Sequence, residues 1–498
     1  NLSDLFPAGA GKQVSFTASG NVTSSGKPVV LNSDGTVSEV SGSSSTIGAQ
    51  AEFSSSTPDY IDTAASSNYL VVIYKRSSGI RIRAGEVSGS TITWGAETDV
   101  FYSATHWSGY PAICYDSTND KFIISWTERD TYFTNFRCQP LSVASSGLGA
   151  VVTLGTASQV HTTSGAGSYA YNSMAYCPDT DHFIMVNAAS LANWYGVAYV
   201  GQLGSGGTTV DVNTTGYTFK SVNSTDYISV GYDENADRFV ISYLASSTSS
   251  VVTALAAGSG ASSSLTFGTE TNLPANAYNV FPIYDSSISK TVLVYKTQAN
   301  QNGEAKVATV GSTTITLAST AYIWQGNSDA PYQEMIAATY DSNINQVIIS
   351  WRQTASPYAS FFLGASVSGE VITYSTATTA FGSPTNTQYK SLSFLSGANL
   401  SLLAVADVGY GYGYSKMIAP ASTNVTASNF LGISDAAISS AAEGNITMKG
   451  GIASTGLSSL TPGSDYYVQD DGTITTVSSS VKAGKALSAT AINLEYTS

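Results

Sequence analysis

The side chains that could bind a ligand in this sequence are mostly aromatic: 31 tyrosines and 6 tryptophans stand against 3 histidines and 3 cysteines. The histidines, His106, His161 and His182, show no metal-ligand spacing and read as loop or surface residues. No acidic loop of the D-x-D-x-D-G kind offers a calcium site, so neither a metal nor a cofactor is expected. Cys114, Cys138 and Cys177 contain no C-x-x-C pair and are odd in number, which excludes a disulfide framework and a zinc ribbon. No G-x-S-x-G elbow marks a nucleophile, and no catalytic residue can be named. Arg76, Arg129 and Arg352 each follow an apolar run, with Glu128 beside Arg129. They could gather on an anionic ligand, but solvated loop charges are the plainer reading.

Aromatic loops carry the best binding signal. Trp107, Tyr110, Trp194, Tyr195, Trp324, Tyr410, Tyr412 and Tyr414 are the candidate ligand-binding residues. Aromatic faces stack on the apolar faces of sugars, and phenolic hydroxyls bond to sugar hydroxyls. Tyrosine also recurs regularly. Tyr110, Tyr171, Tyr227 and Tyr389 each stand five residues before a repeated slot, with Tyr278 and Tyr332 nearby. A tyrosine in most repeats could equally be a packing residue, whereas Trp107, Trp194 and Trp324 are irregular.

The elements that position these residues form a repeat. An apolar stretch ends in Tyr-Asp, a polar turn follows, and a second apolar run ends in a large residue. Clear copies span Ala112 to Trp126, Ser229 to Tyr243, Phe281 to Tyr295 and Ala337 to Trp351, with weaker ones around Tyr74, Asn187 and Val405. The runs end at 74, 126, 187, 243, 295, 351 and 405, about 55 residues apart. A later element, such as Ile92-Thr93-Trp94 or Ile372-Thr373-Tyr374, completes each unit. Four short strands per unit and near-absence of helical periodicity predict an all-β fold: a seven-bladed β-propeller over residues 49–426, flanked by small β-modules at 1–48 and 427–498. Asp116, Asp233, Asp285 and Asp341 follow the repeated tyrosine and read as turn formers, not ligands.

Composition agrees. Apolar residues make up 42% and charged residues only 11% of the chain, less than half the roughly 25% of an ordinary domain. The net charge is −14. No basic footprint for nucleic acid or anionic lipid exists, and no apolar run is long enough to span a bilayer.

The flanks resemble each other. Val29 to Val37 aligns without gaps on Tyr466 to Ile474, and Asp34-Gly35 and Asp471-Gly472 both read as hairpin turns. Phe430 to Asp435, Ala436 to Gly451, Gly456-Leu457 with Leu460 to Val468, and Val481 to Ser488 are similar to terminal β-modules of tailed-bacteriophage virion proteins, especially marine ones. Residues 14–40 resemble the N-terminal partner module of such proteins. The resemblance covers the flanks alone. It implies a virion surface component, an appendage, fibre or decoration protein. It also implies other virion proteins as partners, a homo-oligomer with a trimer favoured, and no transferred catalytic residue. Three functions stay open: a non-enzymatic protein displaying the propeller for a host-surface glycan or receptor, a purely structural decoration protein, and a glycan-processing propeller enzyme. The S-x-D-x-G-x-x-W box of sialidases is absent.

Overall fold

The computed structural model describes residues 12–495 except 33, 78, 104–106, 130–131, 148, 165–168, 190–194, 222–224, 246–248, 257–264, 274–276, 298–299, 327–330, 355–357, 383–385, 424, 426–428, 470 and 480. It is all-β and divides into two compact units, Thr46–Pro420 and the two chain ends Asn1–Ser45 with Ala421–Ser498. The flanks read as separate modules thus fall in one unit.

The larger unit repeats one antiparallel sheet in the manner of a β-propeller. In one clear copy Ala277–Asp285 pairs with Lys290–Thr297, which pairs with Gly303–Val310. Two short strands, Ile315–Leu317 and Tyr322–Gln325, both pair with the outer edge of that third strand. The outer strand expected from the sequence is therefore interrupted, giving five strands where four were read. The innermost strands lie side by side. Asp59–Ala65 neighbours both Trp107–Asp116 and Thr387–Leu395, so the series closes on itself. The last sheet borrows its outer strands, Thr46–Ile47 and Ala51–Ser54, from the N-terminal side of the chain, where they pair with Tyr412–Ala419.

Burial explains the apolar runs. The second strands are enclosed by neighbouring sheets, and His182–Ala189 and Leu400–Asp407 are buried at every position. Such strands need continuous apolar sequence instead of alternation. Trp126, Tyr243, Tyr295 and Trp351, in the later halves of other second strands, are buried in the core. His182 is buried too, a correction to its surface reading: it opens a fully enclosed strand.

The Tyr-Asp pair staples turns. Asp116 Oδ1 accepts the N–H groups of Thr118 and Asn119 at 3.1 and 3.0 Å, and Asp341 Oδ1 those of Asn343 and Ile344 at 2.9 and 3.3 Å. The residue closing the turn, Asp120, Asp181, Asp237, Ser289, Asn345 or Asn399, has φ between 51° and 53°, a region in which Asp and Asn are enriched. The tyrosine ties neighbouring sheets together. Tyr176 Oη lies 2.8 Å from Asp181 in its own turn and 2.7 Å from Thr118 in the preceding one. Tyr232 repeats this with Asp237 at 2.8 Å and Asp179 at 3.1 Å.

In the smaller unit both chain ends build one sheet. Its order is Gln13–Thr17, Glu443–Met448, Phe430–Ser434, Pro28–Leu31, Val37–Glu39. A second sheet is C-terminal only, with Lys482–Ser488 flanked by Ala491–Leu494 and Asp465–Val468. The two aligned hairpins share one turn. Gly35 and Gly472 have φ of 84° and 78°, and Asp34 and Asp471 accept both the N–H and the hydroxyl of Thr36 and Thr473 at 2.6–3.0 Å. A left-handed turn residue favours glycine, which accounts for the shared D-G-T sequence.

Candidate functional site

The inner strands are not regular. Close to its start each slips register against its partner, between Gly109 and Ala112 for instance, or Asp226 and Ser229. The extra residue sits in the left-handed region: Tyr60, Tyr110, Tyr171, Tyr227, Asn279 and Tyr389 have φ of 41–53°. A bulge re-aims a side chain, and a bulky residue at positive φ is a strained choice. Here the same strain recurs at the same place round the ring. The sheet of Pro331–Asp341 departs, with a longer slip and Met335 in the corresponding place.

The result is a chain of rings. Tyr389 meets Tyr60 at 5.3 Å between centroids, Tyr60 meets Tyr110 at 4.4 Å, Tyr110 meets Tyr171 at 6.0 Å, Tyr171 meets Tyr227 at 5.4 Å, and Tyr227 meets Tyr278 at 5.6 Å. They surround a cavity of about 480 Å³ lined by every innermost strand, which puts it on the ring axis. That volume falls in the range of small-molecule sites. Trp107 extends the collar outwards: it is 36% exposed and stands 5.8 Å from Tyr110. A Cβ on Gly109 would lie 2.6 Å from the Trp107 ring, so glycine is what lets the indole fold back over the strand. Lys75 Nζ lies 5.7 Å from the Tyr60 ring centre and 5.8 Å from that of Trp107, and pairs with Asp59 at 3.3 Å. Burial first, then the Tyr110 hydroxyl, holds the Tyr60 phenol above its ordinary value, so that collar residue stays neutral.

Below the collar the wall is uneven. Pro111, Met174, Val230, Phe281 and Ile336 supply its apolar stretches, while Asn172, Ser173, Ser229 and Asn279 supply polar ones. Asp62, Thr63 and Ser391 make one polar seam where the ring closes. Asp62 Oδ1 accepts Thr63 N–H at 2.9 Å and the Ser391 hydroxyl at 3.1 Å, while Oδ2 accepts Ile113 N–H at 3.0 Å. Despite these bonds, burial pushes the Asp62 carboxyl up to about 6. The carboxyl is enclosed by protein yet open to the cavity. Lys390, also on the wall, donates to Ser360 Oγ, which itself bonds to Thr387 Oγ1. Burial, with Arg352 beside it, draws the Lys390 amine well below its usual value.

The aromatic residues read from the sequence part company here. Trp107 and Tyr110 join the collar. Trp194 lies outside the described residues, as does His106, and the side chain of Tyr332 does too. Trp324 is core, a correction: it is 6% exposed, packs on Trp351 at 5.1 Å, and lies over Gly303. Phe53 over Gly413 and Phe219 over Gly196 repeat this arrangement in other sheets, so Trp324 fills a repeat position and not an irregular loop. Tyr195 opens a third strand, half-buried against the core. Tyr410 is exposed in the turn capped by Asp407, and Tyr412 and Tyr414 stack on each other at 5.6 Å; none of the three lines the cavity. Arg76 pairs with Glu97 at 2.6 Å and Arg352 bonds to Asn386, so these two do not converge on the cavity, and Arg129 is absent from its lining. The sequence reading missed Tyr60 and Asp62. Tyr60 was findable, since it lies 50 residues before Tyr110 at the matching place, but its unit lacks the Tyr-Asp pair that set the frame.

No protein-family model matches the chain, and no curated protein matches it. Solved structures with a similar fold include the NanB sialidase of Streptococcus pneumoniae, at 10% identity and TM-score 0.44 over 73% of this chain and 69% of that one. The leech intramolecular trans-sialidase aligns at 10% identity and TM-score 0.41 over 84% of this chain and 98% of that one. A Trypanosoma rangeli sialidase aligns at 8% identity and TM-score 0.44 over 82% and 59%.

Proposed function

We propose that the ring is a seven-bladed β-propeller that binds a carbohydrate non-enzymatically, gripping it in the tyrosine collar at the mouth of the axial cavity. The observation that carries this reading is the collar itself. Strain at one residue in six of the seven inner strands, five of them tyrosines, is spent on aiming neutral aromatic rings at a common opening, and rings of this kind suit the faces of sugars. The resemblance of the terminal modules supports a setting on a virion surface, with a host-surface glycan as the ligand and other virion proteins as neighbours. It also supports a homotrimer formed through the C-terminal module.

The test copies a residue already present. Asn279 occupies the collar place in its own sheet, so Tyr110→Asn keeps the backbone conformation and removes only the ring. The variant, and Trp107→Ala beside it, should melt within a few degrees of the parent while losing at least tenfold in affinity on a panel of immobilised glycans, as expected when stacked aromatic contacts are removed. Undiminished binding by Tyr110→Asn would sink the reading. Turnover of a glycan by the parent protein would replace it with the enzymatic alternative.

A further inference from the structure

One group in the axial cavity does more than the fold asks of it. Two residues after the collar tyrosine, the inner strand has Asp62, whereas other strands have Ala112, Ser173, Ser229, Phe281, Ala337 or Ser391. Asp62 Oδ2 links its strand to the next by accepting Ile113 N–H at 3.0 Å. Ser173 does the same work uncharged, with its Oγ accepting the corresponding N–H, that of Val230, at 3.2 Å. A serine therefore satisfies the strand-to-strand link. The carboxylate adds a second oxygen and a charge at a buried point of the cavity wall, where ionisation is costly. Its cost is visible in the carboxyl, which burial raises to about 6. A charge that the fold does not need, facing a ligand-sized space, points to the ligand.

We propose that Asp62 is the specificity-determining carboxylate of the cavity, accepting hydrogen bonds from the hydroxyls of an uncharged sugar and turning away sugars that carry a carboxylate of their own. This rests on the cavity being a sugar site. Charge-assisted bonds from hydroxyl to carboxylate are roughly twice as strong as neutral ones, which suits a site that must orient a polyol. Ser391 and Thr63, both bonded into the seam, present hydroxyls beside it. Among the described residues nothing positive balances Asp62 for an acidic sugar: Lys390 is the one cationic side chain of the lining, and its amine is turned to Ser360. The other titratable groups facing this region, among the described residues, are Tyr60, Tyr110, Tyr171, Tyr227 and Tyr389 in the lining, Asp59 and Lys75 at the collar, and Cys114 with Asp116 on the next inner strand. Lys75 is already paired with Asp59 at 3.3 Å. Binding of a neutral sugar should weaken as pH falls through the titration of Asp62.

The experiment compares the parent protein, Asp62→Ser, Asp62→Asn and Tyr110→Asn by calorimetric titration. The probes are the methyl glycosides of galactose, glucose, mannose, N-acetylglucosamine and N-acetylneuraminic acid, at pH 7.5 and pH 5. Asp62→Ser copies Ser173, keeps the link to Ile113, and should melt no lower than the parent at pH 7.5. The expected result is binding of at least one neutral glycoside by the parent and none of the acidic one. Asp62→Ser should lose at least tenfold in that affinity and lose its pH dependence, with Asp62→Asn following it. Equal affinity and selectivity in parent and both Asp62 variants, alongside loss in Tyr110→Asn, overturns the role of Asp62 and leaves the collar standing. Preference of the parent for the acidic glycoside overturns it too. Failure of the parent to bind any probe, or binding that survives Tyr110→Asn, removes the sugar site and this proposal with it.

Discussion

At the scale of single residues, the ring keeps several ionisable groups largely out of water. Asp341 is fully buried, its Oδ1 takes two turn N–H groups, and its Oδ2 has no partner. Burial raises its carboxyl, like that of Asp62, to about 6. Since both values lie above those of an unfolded chain, the folded state binds these protons more tightly. Their contribution is favourable below pH 4 and is lost as pH rises through about 6, by about 3 kcal/mol for a shift of some two units. Asp341→Asn keeps the turn acceptor and removes the charge. Urea unfolding at pH 4, 5.5 and 7 should show the variant gaining on the parent as pH rises; a gain that is constant with pH would contradict the assignment. His182 has neither ring nitrogen partnered, so it too is a polar group held at a cost inside a strand.

At the scale of elements, the repeat lets one sheet be corrected by another. Thr291, the second residue of a second strand, donates its hydroxyl to Asp233 Oδ2 of the preceding sheet at 2.7 Å. In the register of the next pair of sheets Val347 takes the place of Thr291, and Asp285 Oδ2 is left without a partner. Val347→Thr should supply the missing donor and stabilise by about 1 kcal/mol, the worth of one net hydrogen bond. Chemical denaturation would reveal it, and a loss of stability would mean that the hydroxyl cannot reach. This same regularity is why the sheet units were legible in the sequence. Enclosed second strands demand continuous apolar runs, and the Tyr-Asp staple demands its two residue types at a fixed place. The collar was half legible. Tyr110, Tyr171, Tyr227 and Tyr389 could be picked out by spacing, but spacing could not say that a bulge turns them inwards. Trp324 misled because a large aromatic over a glycine looks the same in sequence whether it packs or binds. Asp62 was invisible, since its meaning depends on the serine that does its work in another sheet.

At the scale of the whole molecule, the proposed homotrimer would have its copies meet through the smaller unit. It carries Ile452, Val477 and Leu487 exposed to solvent, while the chain as a whole bears a net charge of −14 that opposes casual association. Light scattering of the intact chain at micromolar concentration should give three times the 51.7 kDa of one copy, and a monodisperse monomer would rule the trimer out.

The sheet shared by the two chain ends also sets a timetable. Lys27 N–H bonds to Ser434 Oγ, 407 residues away, and Gln13–Thr17 pairs with Glu443–Met448. At ribosomal speeds of about 5–20 residues per second, the first strands wait roughly 20–80 s for their partners. The last sheet of the ring waits as well, because Ala51–Ser54 is made early and Tyr412–Ala419 late. During that interval the early strands present unpaired edges to every neighbouring nascent chain. They are short, and the edge of one opens with Lys27 and Pro28, a charge and a missing donor that discourage pairing with strangers. Neither unit can close until its late strands are made, Tyr412–Ala419 for the larger and Glu443–Met448 for the smaller.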